Sequence, residues 1–593
     1  MVIPAIYFFL SNYSNWRARA AATIIWDGGG DGESWSDPNN WNTNAVPVTS
    51  DDVLIDTATT VKISGPITVN SLTLGVTGGT SASVLEFAYD ALSLGPLIIS
   101  NGNLIVYPGA TITHTASSSG GINGRVNINV QSASSSALIY GSINVNSKGF
   151  EDATGTGAGV SGTEGAGGGG HGGLGGNGHT RAGGTSYGSF TEPQLFGSGG
   201  GQQSWGAGHG GGAVKLDVSG TLTVNGSITA NGGYGARPDG WNANGGGAGG
   251  SIWLIANTFT GSGSITANGG DTDVGGESFR SGGGGGGGRI ALHYTNNTST
   301  LSDLSAMGGR SIGTTSSTVQ KGGAGTIYKK ANSATYGDLI LDNKDIAWTS
   351  SRLRVAKTPL PNSLTMENLT INNYSSVDYA STLTVNNTLT IDNISHFGVT
   401  GSVSTNNLVI ENNGWVYNES TANITYNNLN WVGGKITDNG GTFNVVSAGS
   451  ALTIPNTSTL DANVPRSYSS VLIDGTLTHT ANTGTEINKI NYTVSGNLTI
   501  SGSGKIDITG RGYEDATGEG AGISGSGGAG GASHGGAGGN GQTRAGSTVI
   551  YGDPKAPDQL GSGGGQFGNA AGHGGGAVKL DVAGTVTING SVI

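Results

Sequence analysis

Leu369-Thr370-Ile371, Leu389-Thr390-Ile391, Leu408-Val409-Ile410 and Leu429-Asn430-Trp431 recur at intervals of 20, 19 and 21 residues. Each is a short alternating apolar run bounded by Asn, Gly and Ser, the pattern of a half-buried strand. About twenty residues is what one turn of a coiled parallel sheet needs: two or three short strands with turns between them, inward side chains stacking on the rung below. Asn372, Asn373, Asn393, Asn412 and Asn413 fall at the turns. Asparagine there tolerates left-handed backbone and bonds its counterpart one rung away. No window carries a capped 3.6-residue period. The spacing therefore predicts an all-β chain, folded as a right-handed parallel β-helix (β-solenoid) with glycine-rich loop insertions.

A second rhythm runs through the glycine-rich block at 148–330. Ala213-Val-Lys-Leu-Asp-Val218, Ser251-Ile-Trp-Leu-Ile-Ala256 and Arg289-Ile-Ala-Leu-His-Tyr294 follow one another at 38-residue intervals, each directly after a glycine run. Gly226-Ser-Ile-Thr-Ala-Asn-Gly-Gly233 returns 37 residues later as Gly263-Ser-Ile-Thr-Ala-Asn-Gly-Gly270. A weaker copy is Gly325-Thr-Ile-Tyr328. One unit thus holds a glycine excursion, an alternating strand, a turn, a second strand and an Asn-Gly-Gly turn.

Beyond Ser469 the first part of the chain recurs. Thr111-Ile-Thr-His114 returns as Thr476-Leu-Thr-His479 after 365 residues, Glu151-Asp152 as Glu514-Asp515 after 363, and Gly208-His209-Gly210 as Gly572-His573-Gly574 after 364. The chain reads as one whole module and part of another. Its segments are a signal remnant at 1–22, a Trp-rich N-terminal cap at 23–60 and β-helix rungs at 61–147. A glycine-rich module follows at 148–335, then an Asn/Thr-rich β-helix at 336–510 and a second, truncated glycine-rich copy at 511–593.

Composition narrows the function. Glycine makes up 114 of 593 residues without a Gly-X-Y period, which removes collagen and leaves disorder or repetitive β structure. The returning Val, Ile, Leu and Thr clusters favour the latter. With no cysteine, disulfides and thiolate-bound metals are excluded. A net charge of −12 with scattered Lys and Arg argues against nucleic acid. The apolar run Ile3 to Leu10 is too short to span a membrane. With Ala20 and Ala22 after it, the run resembles a secretory signal that lacks its basic start. No other stretch is apolar enough to cross.

Several groups invite a chemical reading. Glu151, Asp152, His171, Arg181 and His209 have counterparts in the second copy, and two carboxylates, two histidines and an arginine could make an acid–base site. As strand neighbours, however, Glu151 and Asp152 would point to opposite faces, whereas a glycosidase needs carboxylates facing across a cleft. The Gly-His-Gly triplet resembles that of polygalacturonase-like β-helix enzymes, but the accompanying Asn-Thr-Asp, Asp-Asp and Arg-Ile-Lys are missing. These residues read first as loop-bonding groups. The glycine runs lack the helix and Lys-Ser/Thr of a phosphate loop. Bare backbone instead lets polyglycine-II-like segments pack side by side. Such a patch, edged by Tyr187, Phe196 and Trp205, is the candidate contact surface. Asp27, Asp31, Glu33 and Asp37 match no EF-hand spacing and read as turn residues, with Ca²⁺ as the alternative; no other cofactor is expected. Thr-x-Thr phrases are too irregular for an ice-binding face.

The Trp26…Trp35…Asn40-Trp41…Val46-Pro47…Asp52-Val-Leu-Ile55-Asp56 opening resembles that of bacterial autotransporter-type β-helix passengers. Ser251-Ile-Trp, Gly-Ser-Ile-Thr-Ala-Asn-Gly-Gly and Gly288-Arg289-Ile-Ala-Leu are similar to repeats of giant glycine-rich bacterial extracellular proteins. The resemblance implies an adhesin-like, extracellular or cell-surface protein, and no catalytic residue carries over. The expectation is a non-enzymatic adhesin, stalk or surface component making multivalent weak contacts with cell-surface glycans or other surface-protein copies. The alternative is a polysaccharide-binding or polysaccharide-degrading β-helix enzyme, a lyase or glycoside hydrolase.

Overall fold

The computed structural model describes residues 23–79, 81–117, 123–203, 206–237, 241–272, 280–311, 318–344, 355–446, 449–568 and 571–593. The signal-like leader at 1–22 and Trp205 lie outside them. The chain forms two units, 1–335 and 336–593. Within each, strand pairings are parallel. Among the described residues no helix is long and apolar enough to cross a membrane.

In the second unit the triplets stack as their spacing requires. Leu369, Leu389, Leu408 and Leu429 are successive register partners, and so are Ile371, Ile391, Ile410 and Trp431. Strands Leu364–Asn372, Thr382–Ile391 and Ser402–Glu411 alternate buried and part-exposed residues. Register shifts at Met366/Asn368 and Val385/Thr388 bend the first two, so each serves two faces of its rung. The turns follow the asparagine logic. Asn373, Asn393, Asn412 and Asn413 have φ of 49, 42, 45 and 65°. The Asn393 amide donates to Asn373, Asn373 to Asp342 (2.8 Å) and Asn412 to Asp392 (2.8 Å). On another edge Asn428, Asn407, Asn387 and Asn368 form a continuous amide ladder of 3.0–3.2 Å.

The first unit begins with an indole cluster. Trp26, Trp35 and Trp41 are buried and pack edge to face, with centroids 5.0 and 4.8 Å from Trp41. Thr23–Ile25 then pairs with Asp52–Ile55, and rungs follow in order. Two inward columns hold the stack together: Leu97, Ile128, Leu216, Leu254 and Leu292, and Ile112, Ile143, Ile228 and Ile265. Each is buried, contributing about 1.5–3 kcal/mol. Between the short third strand of one rung and the long first strand of the next, the chain leaves the sheet into glycine and returns.

These glycine limbs form a packed bundle with a three-residue period. Gly245, Gly246 and Gly247 donate to Gly201, Gly283 and Gly233 in turn; Ala248, Gly249 and Gly250 donate to Ser198, Gly286 and Ala230, at 2.7–3.1 Å. Each neighbouring limb is thus met again every third residue. Gly283 to Gly288 do the same, donating to Ala166, Gln320, Gly270, Gly169, Gly323 and Ala267. Three residues per turn is the polyproline II helix, whose backbone groups all point outward and find partners only in neighbouring chains. A relay crosses the limbs of successive rungs, with Gly322, Gly309, Gly285, Gly270 and Gly247 each donating to the next and Gly247 to Gly233. The sheet's stacking thereby sets the lattice's register.

Glycine is a steric requirement here. A methyl at Gly285 would collide with the Gly247 carbonyl oxygen, and one at Gly247 with that of His209. The expected flat patch beside the helix is therefore corrected: limbs such as 167–173 and 245–250 are buried, because glycine backbone finds its partners in other glycine backbone. Gly285→Ala should cost roughly 1–3 kcal/mol or more as overpacking against rigid backbone. Gly65→Ala, with no atom near its Cβ position, should change stability by less than about 0.5 kcal/mol. Urea denaturation of both variants checks the contrast.

Candidate functional site

The repeated polar residues do not form one site. Glu151 and Asp152 sit in a turn, with Ala153 at φ 54°. Asp152 Oδ1 lies 3.1 Å from His209 Nε2 without the alignment of a hydrogen bond, while Oδ2 accepts the Ala207 N–H at 3.1 Å. The Asp152 contact raises the His209 pKa above its ordinary value against the effect of partial burial, and the Glu151 charge adds to the rise. The second copy repeats the pair, with Asp515 3.4 Å from His573. Arg181 lies exposed across Gly162, as Arg544 lies across Gly525.

His171 is elsewhere, fully buried where the glycine bundle meets the sheet. Its Nδ1 donates to the Gly249 carbonyl at 2.8 Å and its ring packs on Tyr187 at 4.8 Å. Nε2 faces Gly188 and, among the described residues, has no hydrogen-bond partner. Tyr187 donates its hydroxyl to the Phe196 carbonyl and lies 2.8 Å from Ser198 Oγ. Phe196 is buried, stacked on His114 at 5.4 Å. As surface contacts, His171 and Phe196 are thus corrected: both are packed inside, joining bundle to sheet. Exposed aromatics of the bundle are instead Tyr234 and Trp241, at 51% and 66%.

Two further side chains complete the joint. His114 Nδ1 bonds the Thr115 carbonyl at 2.9 Å, and Nε2 accepts the Ala213 N–H at 3.3 Å. A side chain at Gly212 would strike that ring. His479 repeats this with Thr480 and Ala577 at 3.0 and 3.2 Å. The buried Arg289 donates to the Tyr187 and His171 carbonyls at 2.9 and 3.3 Å and to Thr326 Oγ1 at 3.2 Å. The shared phrase Thr-x-Thr-His was the signal for His114; Arg289 carried none beyond its place after a glycine run.

At the N-terminal turn the acidic side chains serve backbone donors. Asp31 Oδ1 accepts from the Glu33 and Ser34 amides and from Asn40. Ser34, Glu33 and Asn40 hold its carboxyl well below the usual range. Asp27 and Asp37 accept from nearby amides, and Glu33 pairs with Lys62 at 2.7 Å. Among the described residues no three His, Asp or Glu side chains converge as a metal-ligating group.

A surface of a different kind lies on the second unit. In register across adjacent strands run His396, Trp415 and Lys435, and beside them Gly398, Tyr417, Thr437 and Asp461. Trp415 meets His396 at 5.0 Å and Tyr417 at 5.9 Å. Lys435 lies 4.5 Å from the indole centroid and 2.6 Å from Asp461, and Trp415 Nε1 donates to Thr437 at 2.8 Å. Lys357 pairs with the half-exposed Asp378 one strand away. The result is a part-exposed aromatic platform, its rings set edge to face and rimmed by both signs of charge. Its sequence signal was a spacing of 19 and 20 residues between His396, Trp415 and Lys435, in phase with the rungs.

Comparison with known proteins returned no relative: no family model matches the chain, and no curated protein or solved structure does so.

Burial pushes His114 down to about 4 and His171 down to about 3; His479 is lowered as well. Unfolded imidazoles bind protons near pH 6.5. Between about 6.5 and 4 the unfolded chain therefore holds more protons, and stability falls as pH falls. Urea midpoints should decline between about pH 6.5 and 4. His171→Phe should lower the midpoint at pH 7 and make that decline shallower.

Proposed function

We propose that this protein is a non-enzymatic extracellular or cell-surface repeat protein, a stalk or adhesin wound as a right-handed parallel β-helix. It would belong with the giant glycine-rich bacterial surface proteins that its repeats resemble. The observation that carries the reading is the use made of the buried and paired polar residues of the glycine-rich module. His114, His171 and, through its carbonyl contacts, Arg289 spend their hydrogen bonds fastening glycine backbone to the sheet. Asp152 and His209 tie one turn to another. These are joints of a scaffold rather than groups held ready for substrate.

The contact surface we assign to the scaffold is the His396, Trp415, Tyr417 platform. Part-exposed aromatic rings with polar tips suit sugar contacts, and Lys357, Asp378 and Lys435 supply hydrogen-bonding groups at the rim. A repeat protein displaying such a platform per module gains through multivalency what each contact lacks in affinity. The platform also gives the polysaccharide-enzyme alternative its best location. On a glycan array the chain should bind a subset of polysaccharides, and Trp415→Ala should weaken binding by about tenfold, the loss of one aromatic anchor. Release of reducing sugar from those polysaccharides would overturn the non-enzymatic reading, and binding unchanged by Trp415→Ala would move the contact elsewhere.

A further inference from the structure

In the first unit an irregular strap at 189–195 closes a small cavity against the sheet. Two bonds hold the strap down: Ser251 Oγ donates to the Leu195 carbonyl at 2.6 Å, and His293 Nε2 to the Thr191 carbonyl at 2.7 Å. The cavity measures about 220 Å³ with its open mouth, and its enclosed part has room for one water-sized group. Gln194 of the strap lines it with Arg125, Asn127 and Lys215, between apolar walls that include Leu92 and Val214.

Both cations of this cavity are short of a partner. Arg125 is 6% exposed, and its Nε has no hydrogen-bond partner among the described residues. The carboxylate beside it, Asp90, stands 3.6 Å away. Asp90 is spent on capping the short helix Ala91–Leu94, where it accepts from the Leu92 N–H at 3.2 Å and from Ser93 Oγ at 2.7 Å. Burial lowers the Arg125 pKa, and the Asp90 charge offsets that only in part. Lys215 lies 4.1 Å from the Trp253 ring centroid and, among the described residues, pairs with no carboxylate. A buried cation left without full compensation is costly, and an anion set beside it recovers that cost.

The second copy shows which chemistry answers such a pair. Lys489 and Lys579 stand 364 residues after Arg125 and Lys215, and Asn491 pairs with Lys579 as Asn127 does with Lys215. There Glu486 gives Lys489 a carboxylate at 2.7 Å, and the Asp558 carbonyl of the matching strap lies at 3.4 Å. In the first copy Ile122 stands at the place of Glu486, and Gln194 at that of Asp558. The first copy thus keeps the basic pair without either acidic residue.

We propose that the cavity under the strap at 189–195 is a binding site for a carboxylate group, held by Arg125 and Lys215. Its enclosed part admits one carboxylate oxygen rather than a sulfate or phosphate, and Leu92 and Val214 suit a short apolar portion behind the charge. A small free carboxylate and the uronate group of a glycan share this chemistry.

Acetate is the probe, added to the full chain at constant ionic strength. Saturation transfer from the protein to the acetate methyl should appear and should be suppressed by formate. The urea midpoint should rise with acetate and not with equal chloride. Lys215→Gln should weaken acetate binding about tenfold, the loss of one charge-assisted contact. Gln194→Asp puts the acid of the second copy at the cavity and should abolish the transfer. Displacement of acetate by glucuronate would support the site as one for an acidic sugar, and competition by formate alone would support it as one for a small free carboxylate. No transfer at any acetate concentration would overturn the proposal. So would transfer undiminished in both variants, or a midpoint that chloride raises as much as acetate.

Discussion

The structure depends on the missing β-carbon. A polyproline II helix makes no hydrogen bonds within itself, so burying one demands that every N–H and C=O find a partner in another chain. At 245–250 and 283–288 they do so on three sides at once, with limbs close enough that an added methyl would collide with carbonyl oxygen. This arrangement brings little apolar burial. Ordering each residue costs about 1–2 kcal/mol, against roughly 0.5–1.5 kcal/mol from a net hydrogen bond. A glycine bundle therefore needs a scaffold that fixes both ends of every limb.

The β-rungs are that scaffold. Successive long strands hold their register through Leu216, Leu254 and Leu292, so the limbs between them leave and return at a constant pitch. The relay from Gly322 through Gly285 to Gly233 follows that pitch. Where limbs and sheet meet, neutral histidines and a buried arginine bond the Gly249 and Tyr187 carbonyls and the Ala213 amide. The same joint recurs at His479, which makes it a property of the module.

How far the sequence could be read follows from which residues bear a pattern. The Leu-x-Ile triplets carry alternation and spacing, and they stack where both placed them. The turn asparagines carry a conformational preference and form the amide ladder it implied. Glycine runs carry neither: a three-residue hydrogen-bond period is invisible when every residue in it is identical and its partners lie tens of residues away. Hence the runs appeared as an exposed patch, and Phe196 and His171 as its surface groups, although both are inside. The platform was missed for the opposite reason. His396, Trp415 and Lys435 are unlike one another, and only the rung period reveals that they share a column.

The central claim is that the glycine limbs are a three-way hydrogen-bonded lattice rather than loops. Residue-resolved amide exchange over 245–250 and 283–288 tests it most directly, because consecutive amides there donate to three different limbs. The lattice requires all twelve amides to be strongly protected, with no alternation along the chain and at a level comparable with the adjoining strands Ser251–Thr260 and Arg289–Asn297. Exchange near the rate of an unstructured glycine peptide, or protection at only every second residue as in a sheet edge, would contradict it.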